Sequence, residues 1–288
     1  MQRILYATDG SEGALAAGRF LADLPCNLDL HVHILTAVAP DASSKDSEAL
    51  LAAAMLAMGR FPGHVTTAMA PVSSVEETIA AIDNVATNIG ADMIVVGSRG
   101  LAQDGRFLPG SVAAGVARTA TCPVLVARPP AWPLEAVVIG INDSAPADAA
   151  LNWVTREMPL PEDCELLLVR VADAATAPAV ASKLEFIGTG LRAEAFRHEA
   201  EREIARQDGE EMVLEIQIRF GRPATFLLRE GDPTEELITV ATERDAGLIV
   251  TGSRGLTAKE TSVLGSVSEC LLQHASCSVL IVKETHAS

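Results

Sequence analysis

The segment Val95 to Ser111, VVGSRGLAQDGRFLPGS, returns 155 residues later as Val250 to Ser266, VTGSRGLTAKETSVLGS. Gly97, Gly100, Gly110 and Ser111 fall on Gly252, Gly255, Gly265 and Ser266, while most of the residues between them are free to differ. The same offset lays Met93-Ile94-Val95-Val96 on Leu248-Ile249-Val250-Thr251, and Cys122-Pro123-Val124-Leu125-Val126 on Cys277-Ser278-Val279-Leu280-Ile281. Self-similarity over such a span marks a repeated structural unit, and 288 residues accommodate two of them. At the front of each unit, Ile4 to Asp9 resembles Val138 to Asp143 at an offset of 134, which makes the second unit 21 residues longer (155 minus 134). The surplus is placed around Ala179 to Met212, a stretch rich in Glu, Arg and Ala that favours helix. Pro129, Pro130 and Pro133 interrupt regular structure as a short stiff linker, giving expected domains at 1–128 and 134–284.

Within the first unit, apolar runs predict strands at Ile4–Thr8, Leu28–Val38, Val65–Ala70, Asp92–Gly97 and Val124–Ala127. Helices are predicted between them at Ser11–Leu24, Ser47–Gly59, Val75–Ile89 and Ser111–Thr119. The second unit repeats the alternation, with strands at Ala136–Ile141, Cys164–Val171, Ala224–Arg229, Gly247–Thr251 and Ser278–Val282. Strict alternation implies parallel sheets covered on both faces, so the predicted fold class is α/β, two tandem doubly wound domains with five parallel strands each.

A formal net charge of −16 opposes binding to nucleic acid or anionic lipid, both of which need a positive field. The opening MQRILYATDG holds too brief an apolar run for a signal peptide or a membrane span, and a cytoplasmic protein is expected. Five cysteines without a CxxC pair fit reduced, packed thiols. His31 and His33 share one strand face, yet without a third ligand nearby they read as packed or hydrogen-bonded rather than metal-binding.

In doubly wound folds ligands sit beyond the carboxyl ends of the strands, where the strand order reverses, and the glycine segments begin at that edge. Gly97 ends a strand, Gly100 can turn the chain sharply, and Gly110-Ser111 opens a helix whose first amides attract anions. Glycines at strand ends and a serine at a helix start also serve as ordinary punctuation, and Ser266 with Glu269 fits a capping box. Two copies alike at the glycines favour a phosphate cradle. Asp9 and Asp143, at the ends of the first strands, are placed to face the glycine loops, where each could accept from ribose hydroxyls, help hold a divalent cation, or cap the helix that follows.

On these residues the whole chain resembles a tandem universal stress protein. The nucleotide-binding branch of that family carries G-x2-G-x9-G-[ST], matched by Gly97, Gly100, Gly110 and Ser111 and again by Gly252, Gly255, Gly265 and Ser266. The family's aspartate after the first strand is matched by Asp9 and Asp143, and Arg229 to Gly255 resembles its third strand, Gly-x-Pro turn, helix and fourth strand. The resemblance implies an adenine nucleotide alpha-hydrolase-like fold that binds ATP or another adenine nucleotide with Mg²⁺ or Mn²⁺. Adenine would lie near Ala37 and Val38, and near Val171 and Ala172, with ribose by the aspartate and phosphates in the glycine loop. It also implies pairing through the last strands as an internal pseudo-dimer, with a further homodimer left open, and a regulatory or stress-response role.

The first unit departs from the pattern, with Pro71-Val72-Ser73-Ser74 where the second has Gly231-Asp232-Pro233. Its loop carries Asp104 where the second carries Lys259, so tighter binding is expected in the second unit. No P-loop, G-x-G-x-x-G, G-x-S-x-G or H-E-x-x-H sequence is present, and Arg99 and Arg254, which repeat inside the motif, are expected to point to solvent. Binding is therefore expected ahead of turnover. The alternatives are a slow ATPase or nucleotide phosphotransferase, and a structural dimerisation module that binds nothing.

Overall fold

The computed structural model describes residues 1–25, 28–59, 61–98, 110–129, 134–173, 190–253 and 264–283. In the first half β1 (Arg3–Thr8), α1 (Glu12–Asp23), β2 (His31–Val38), α2 (Ser44–Ala57), β3 (His64–Pro71), α3 (Val75–Ile89), β4 (Met93–Gly97), α4 (Ser111–Thr119) and β5 (Val124–Ala127) alternate as read from the sequence. The second half continues with β6 (Ala136–Ile141), α5 (Ala145–Glu157), β7 (Glu165–Asp173), α6 (Gly190–Phe220), β8 (Ala224–Gly231), α7 (Pro233–Glu243), β9 (Leu248–Gly252), α8 (Ser266–His274) and β10 (Ser278–Val282). The ten strands form one sheet in the order β3-β2-β1-β4-β5-β10-β9-β6-β7-β8. Each half is a parallel five-stranded sheet, and the halves join through the antiparallel pair β5–β10. That junction covers both apolar last strands, which would otherwise be open edges.

The central strands are buried on both faces, so they carry continuous apolar runs. Ile4, Tyr6, Phe20, Leu21, Ile34, Val154 and Leu168 belong to one core layer, under α1, α2 and α5. Leu5, Ile82, Ile94, Val116, Leu237, Ile249 and Leu271 belong to the other, under α3, α4, α7 and α8. The helix expected in the surplus stretch is α6, which extends to Phe220, beyond the expected Met212. It packs against β8 closely enough that Gly209 lies on the ring of Phe226, with no room for a Cβ.

The strand registers revise one sequence alignment. Ile4 of β1 pairs with Met93, and Val137 of β6 pairs with Leu248, the repeat-equivalent of Met93. Ile4 therefore matches Val137, an offset of 133 (137 minus 4) rather than 134, and the second half is 22 residues longer (155 minus 133). The residue that corresponds to Asp9 is Asn142, and Asp143 takes the place of Gly10.

Candidate functional site

In the first half β1 lies between β2 and β4, so the loops that follow β1 and β4 leave the sheet toward opposite faces and open a crevice at their carboxyl ends. Ala7 pairs with Val96, which brings Asp9, just past the end of β1, close to Gly97, the last residue of β4. Asp9 Oδ1 accepts the amide of Ser11 at 2.9 Å, closing an Asx turn. The helix cap itself is Ser11, whose Oγ accepts from Ala14 N.

Gly97 owes its lack of a side chain to packing. A Cβ there would stand 2.5 Å from Gly13 C and 2.6 Å from Ala14 Cα, in the first turn of α1. Gly252 meets the same constraint, 2.5 Å from Pro146 O in α5. Tyr6, whose hydroxyl donates to Ala14 O at 2.6 Å, holds the same turn from below, and burial pushes that phenol's pKa up.

The loop that follows each glycine is tied at its base in the same way. In the first half Ser98 N donates to Ala127 O and Gly110 N donates to Ser98 O. In the second, Ser253 N donates to Val282 O and Gly265 N to Ser253 O. The amides of Gly110 and Gly265 are thus engaged by backbone. Intrahelical bonding in α4 begins with Ala114 N on Gly110 O, so the amides of Ser111, Val112 and Ala113 come before the helical ladder. Helices α1, α2, α3 and α7 receive side-chain caps from Ser11, Ser43, Ser74 and Asp232, whereas α4 and α8 start at Gly110 and Gly265 with no side-chain cap. The capping box expected from Ser266 and Glu269 is not made: Ser266 is the first helical residue, and Glu269 pairs with Arg118 of α4.

A cavity of about 630 Å³ occupies this crevice, and Asp9, Ala37, Gly97, Gly110 and Ser111 all line it. Its far wall is largely apolar, made by Val38 and Ala39 at the end of β2, Ala70 and Val72 at the end of β3, and Ile82 of α3, with Ser73, Ser74 and Thr78 beside them. Among the described residues that line it, Asp9 is the one ionisable side chain. Such a chamber suits a flat apolar ring at one end and an anion at the other. Gly100 and Gly255, together with Arg99, Arg254, Asp104 and Lys259, lie outside the described residues.

In the second half Asn142 repeats the turn of Asp9, its Oδ1 accepting Ser144 N at 3.1 Å. Asp143 is largely exposed and pairs with Arg170 on β7. Val171 follows on β7, paired with Arg229 of β8, and Gly252, Gly265 and Ser266 stand at the repeat positions of Gly97, Gly110 and Ser111. Ser268 adds a bond without a first-half counterpart, donating to Gly252 O at 2.8 Å where the first half has Ala113.

The other sequence candidates are structural. His31 stacks on His64 with ring centroids 4.6 Å apart, and His33 Nδ1 meets Thr66 Oγ1 at 2.7 Å while burial lowers its pKa. Among the described residues no three His, Cys, Asp or Glu side chains converge as a metal centre. Burial pushes the thiols of Cys122, Cys164 and Cys277 up to about 11, away from thiolate chemistry. No described helix is long and apolar enough to cross a membrane.

Fold and site together define a tandem α/β protein built around a crevice at the point where its strand order reverses. The sequence model of the universal stress protein family matches residues 70–128 and 134–283, and the chain belongs to that family. It is 30% identical over 153 residues to a Staphylococcus aureus strain USA300 protein named for the family, matching 51% of this chain and 82% of that one. A Staphylococcus saprophyticus relative is 27% identical over 150 residues, 52% of this chain and 83% of its own. A universal stress protein from Archaeoglobus fulgidus has the same fold along the whole length, with TM-score 0.67, 19% identity and 99% of each chain covered.

Proposed function

We propose that the chain binds an adenine nucleotide, ATP in the first instance, in the first-half cavity and acts as a nucleotide-responsive regulatory protein of the stress response. One observation carries the reading: Asp9 and Gly97 from two strand ends, and Gly110 and Ser111 from the start of α4, line a single chamber whose other wall is largely apolar. Adenine lies along Ala37 and Val38, ribose hydroxyls donate to Asp9, and phosphates meet the first amides and the Ser111 hydroxyl of α4. Mg²⁺ or Mn²⁺ would enter with the triphosphate, where Asp9 or Ser111 could help hold it and it would neutralise phosphate charge; one carboxylate among the described lining residues suits that better than a protein-only cage. Among the described lining residues Asp9 is the only ionisable one, a set that supports holding a nucleotide ahead of hydrolysing it.

The two halves, 1–128 and 134–284, each contribute one such unit in this reading. Asn142 in the place of Asp9 removes a carboxylate from the second crevice, so we place the tighter site in the first half, the reverse of what Asp104 and Lys259 suggested. Calorimetric titration with Mg-ATP tests the assignment. Asp9→Asn is expected to weaken binding about tenfold, since a hydrogen bond to a charged group contributes about 1.5–3 kcal/mol. Asn142 makes the same local turn, so the substitution spares the fold. An unchanged affinity, or no heat with the wild type, overturns the reading. ADP or AMP in place of ATP in mass spectra of the purified protein would point to turnover.

A further inference from the structure

The pair β5–β10 maps onto itself under the repeat. Val124, Leu125 and Val126 correspond to Val279, Leu280 and Ile281, and the observed register is Val126 with Val279, Leu125 with Leu280, and Val124 with Ile281. Leu125 and Leu280 are repeat-equivalents that face each other, so a pseudo-twofold axis passes between them. Immediately beyond this pair the chain carries a basic residue in each half, Arg128 and Lys283, again 155 residues apart.

Each crosses to the other half. Lys283 Nζ donates to Ala117 O at 2.6 Å, in the last turn of α4. The Arg128 guanidinium donates to Leu272 O, the repeat-equivalent of Ala117, in the last turn of α8, and to Cys277 O at 3.1 Å. A cation on the last carbonyls satisfies acceptors that the helix leaves open and complements the negative end of its dipole. Both helices are nine residues long, about 13 Å, and their opposite ends begin at Gly110-Ser111 and Gly265-Ser266, the repeat-equivalent starts behind the two glycine loops.

The crossing residues are also joined to their own half's glycine loop. Arg128 follows Ala127, whose carbonyl holds Ser98 N, and Ser98 O holds Gly110 N. Lys283 follows Val282, whose carbonyl holds Ser253 N, and Ser253 O holds Gly265 N. The links therefore close a ring: Gly110, Ser98, Arg128, along α8 to Gly265, Ser253, Lys283, and along α4 back to Gly110. Arg118 of α4 and Glu269 in the first turn of α8 pair across the ring.

We propose that Lys283 and Arg128 are positioning residues for the site of the opposite half, and that this ring couples the two crevices energetically. The proposal rests on the nucleotide reading of the first-half cavity. An anion at the start of α4 and the Lys283 ammonium at its end act on one helix dipole and one short rigid body, so each strengthens the hold of the other.

The test is titration of the full chain with Mg-ATP, followed at the methyl resonances of Val112, which lines the first-half cavity, and of its repeat-equivalent Val267. Lys283→Met is expected to weaken the affinity read at Val112 by roughly fivefold or more, although Lys283 lies in the other half and does not line the cavity. Lys283→Arg restores it, and in the wild type ATP at the first cavity shifts Val267 as well. Should the methionine variant not fold, Lys283→Gln replaces it, keeping a donor while losing the charge, with the same expected direction. Equal affinity at Val112 in wild type and variant, or a loss that Lys283→Arg does not repair, overturns the cross-half role. A Val112 signal that ATP leaves unmoved in the wild type overturns instead the nucleotide reading.

Discussion

Cys122 and Cys277 stand at the same place in the two halves, in the turns that lead into β5 and β10, and Cys164 precedes β7. Burial raises all three thiols from 9.0 to about 11. A group whose folded value is raised contributes its stability fully below the unfolded value and loses it as pH climbs through the folded one. The unfolded chain therefore releases protons between about pH 9 and 11 that the folded chain retains. Stability should fall in that window by about 1.4 kcal/mol per pH unit for each thiol. Urea midpoints measured from pH 7.5 to 10.5 check this, against a variant with all three replaced by alanine, whose decline should be shallower; parallel curves would refute it. The sequence already read these cysteines as packed. It did not reveal Lys283 and Arg128 as partners of distant carbonyls, although two basic residues 155 apart after matching strands were a visible signal.

Element pairing decides what the glycines are for. The end of β4 packs so closely on the first turn of α1 that Gly97→Ala must push two backbones apart, with no flexible side chain to yield. A loss of about 1–3 kcal/mol or more is expected from such overpacking, read as a lowered urea midpoint with an unchanged m-value. Gly252→Ala should behave alike against α5, and a substitution tolerated without loss at either position would contradict the packing. Strand and helix alternation was legible because apolar runs and breakers are local. The register of β6 was not. A strand buried on both faces has no polar alternation to fix its phase, so Val137-Val138-Ile139 aligns on the first strand almost equally well one residue either way. Asp143 then drew the alignment to an offset of 134, and only the pairing with β9 showed Asn142 in the place of Asp9. The far end of α6, by contrast, carries a local signal that the sequence reading passed over: Gly221, at φ +62°, follows Phe220, and Pro223 comes two residues later.

Across the whole molecule the two halves share one sheet, and the pseudo-twofold axis makes a quantitative demand. Leu125 and Leu280 are both fully buried and face each other across β5–β10. Leu125→Ala and Leu280→Ala should each cost about 2–5 kcal/mol, by similar amounts, and the double variant should depart from additivity because the two side chains share one space. Chemical denaturation of the three variants measures this, and unequal single losses with a strictly additive double would show that the axis lies elsewhere. The tandem architecture was legible from the repeat alone; the cavity was not, because it is assembled from segments whose spacing along the chain says nothing about depth.

The junction at β5–β10 unites in one polypeptide what two identical subunits would otherwise supply. In a homodimer every substitution is made twice, once in each crevice. Here the two copies are encoded separately, so Asn142 can stand in one half where Asp9 stands in the other, and each crevice is free to change without altering its twin.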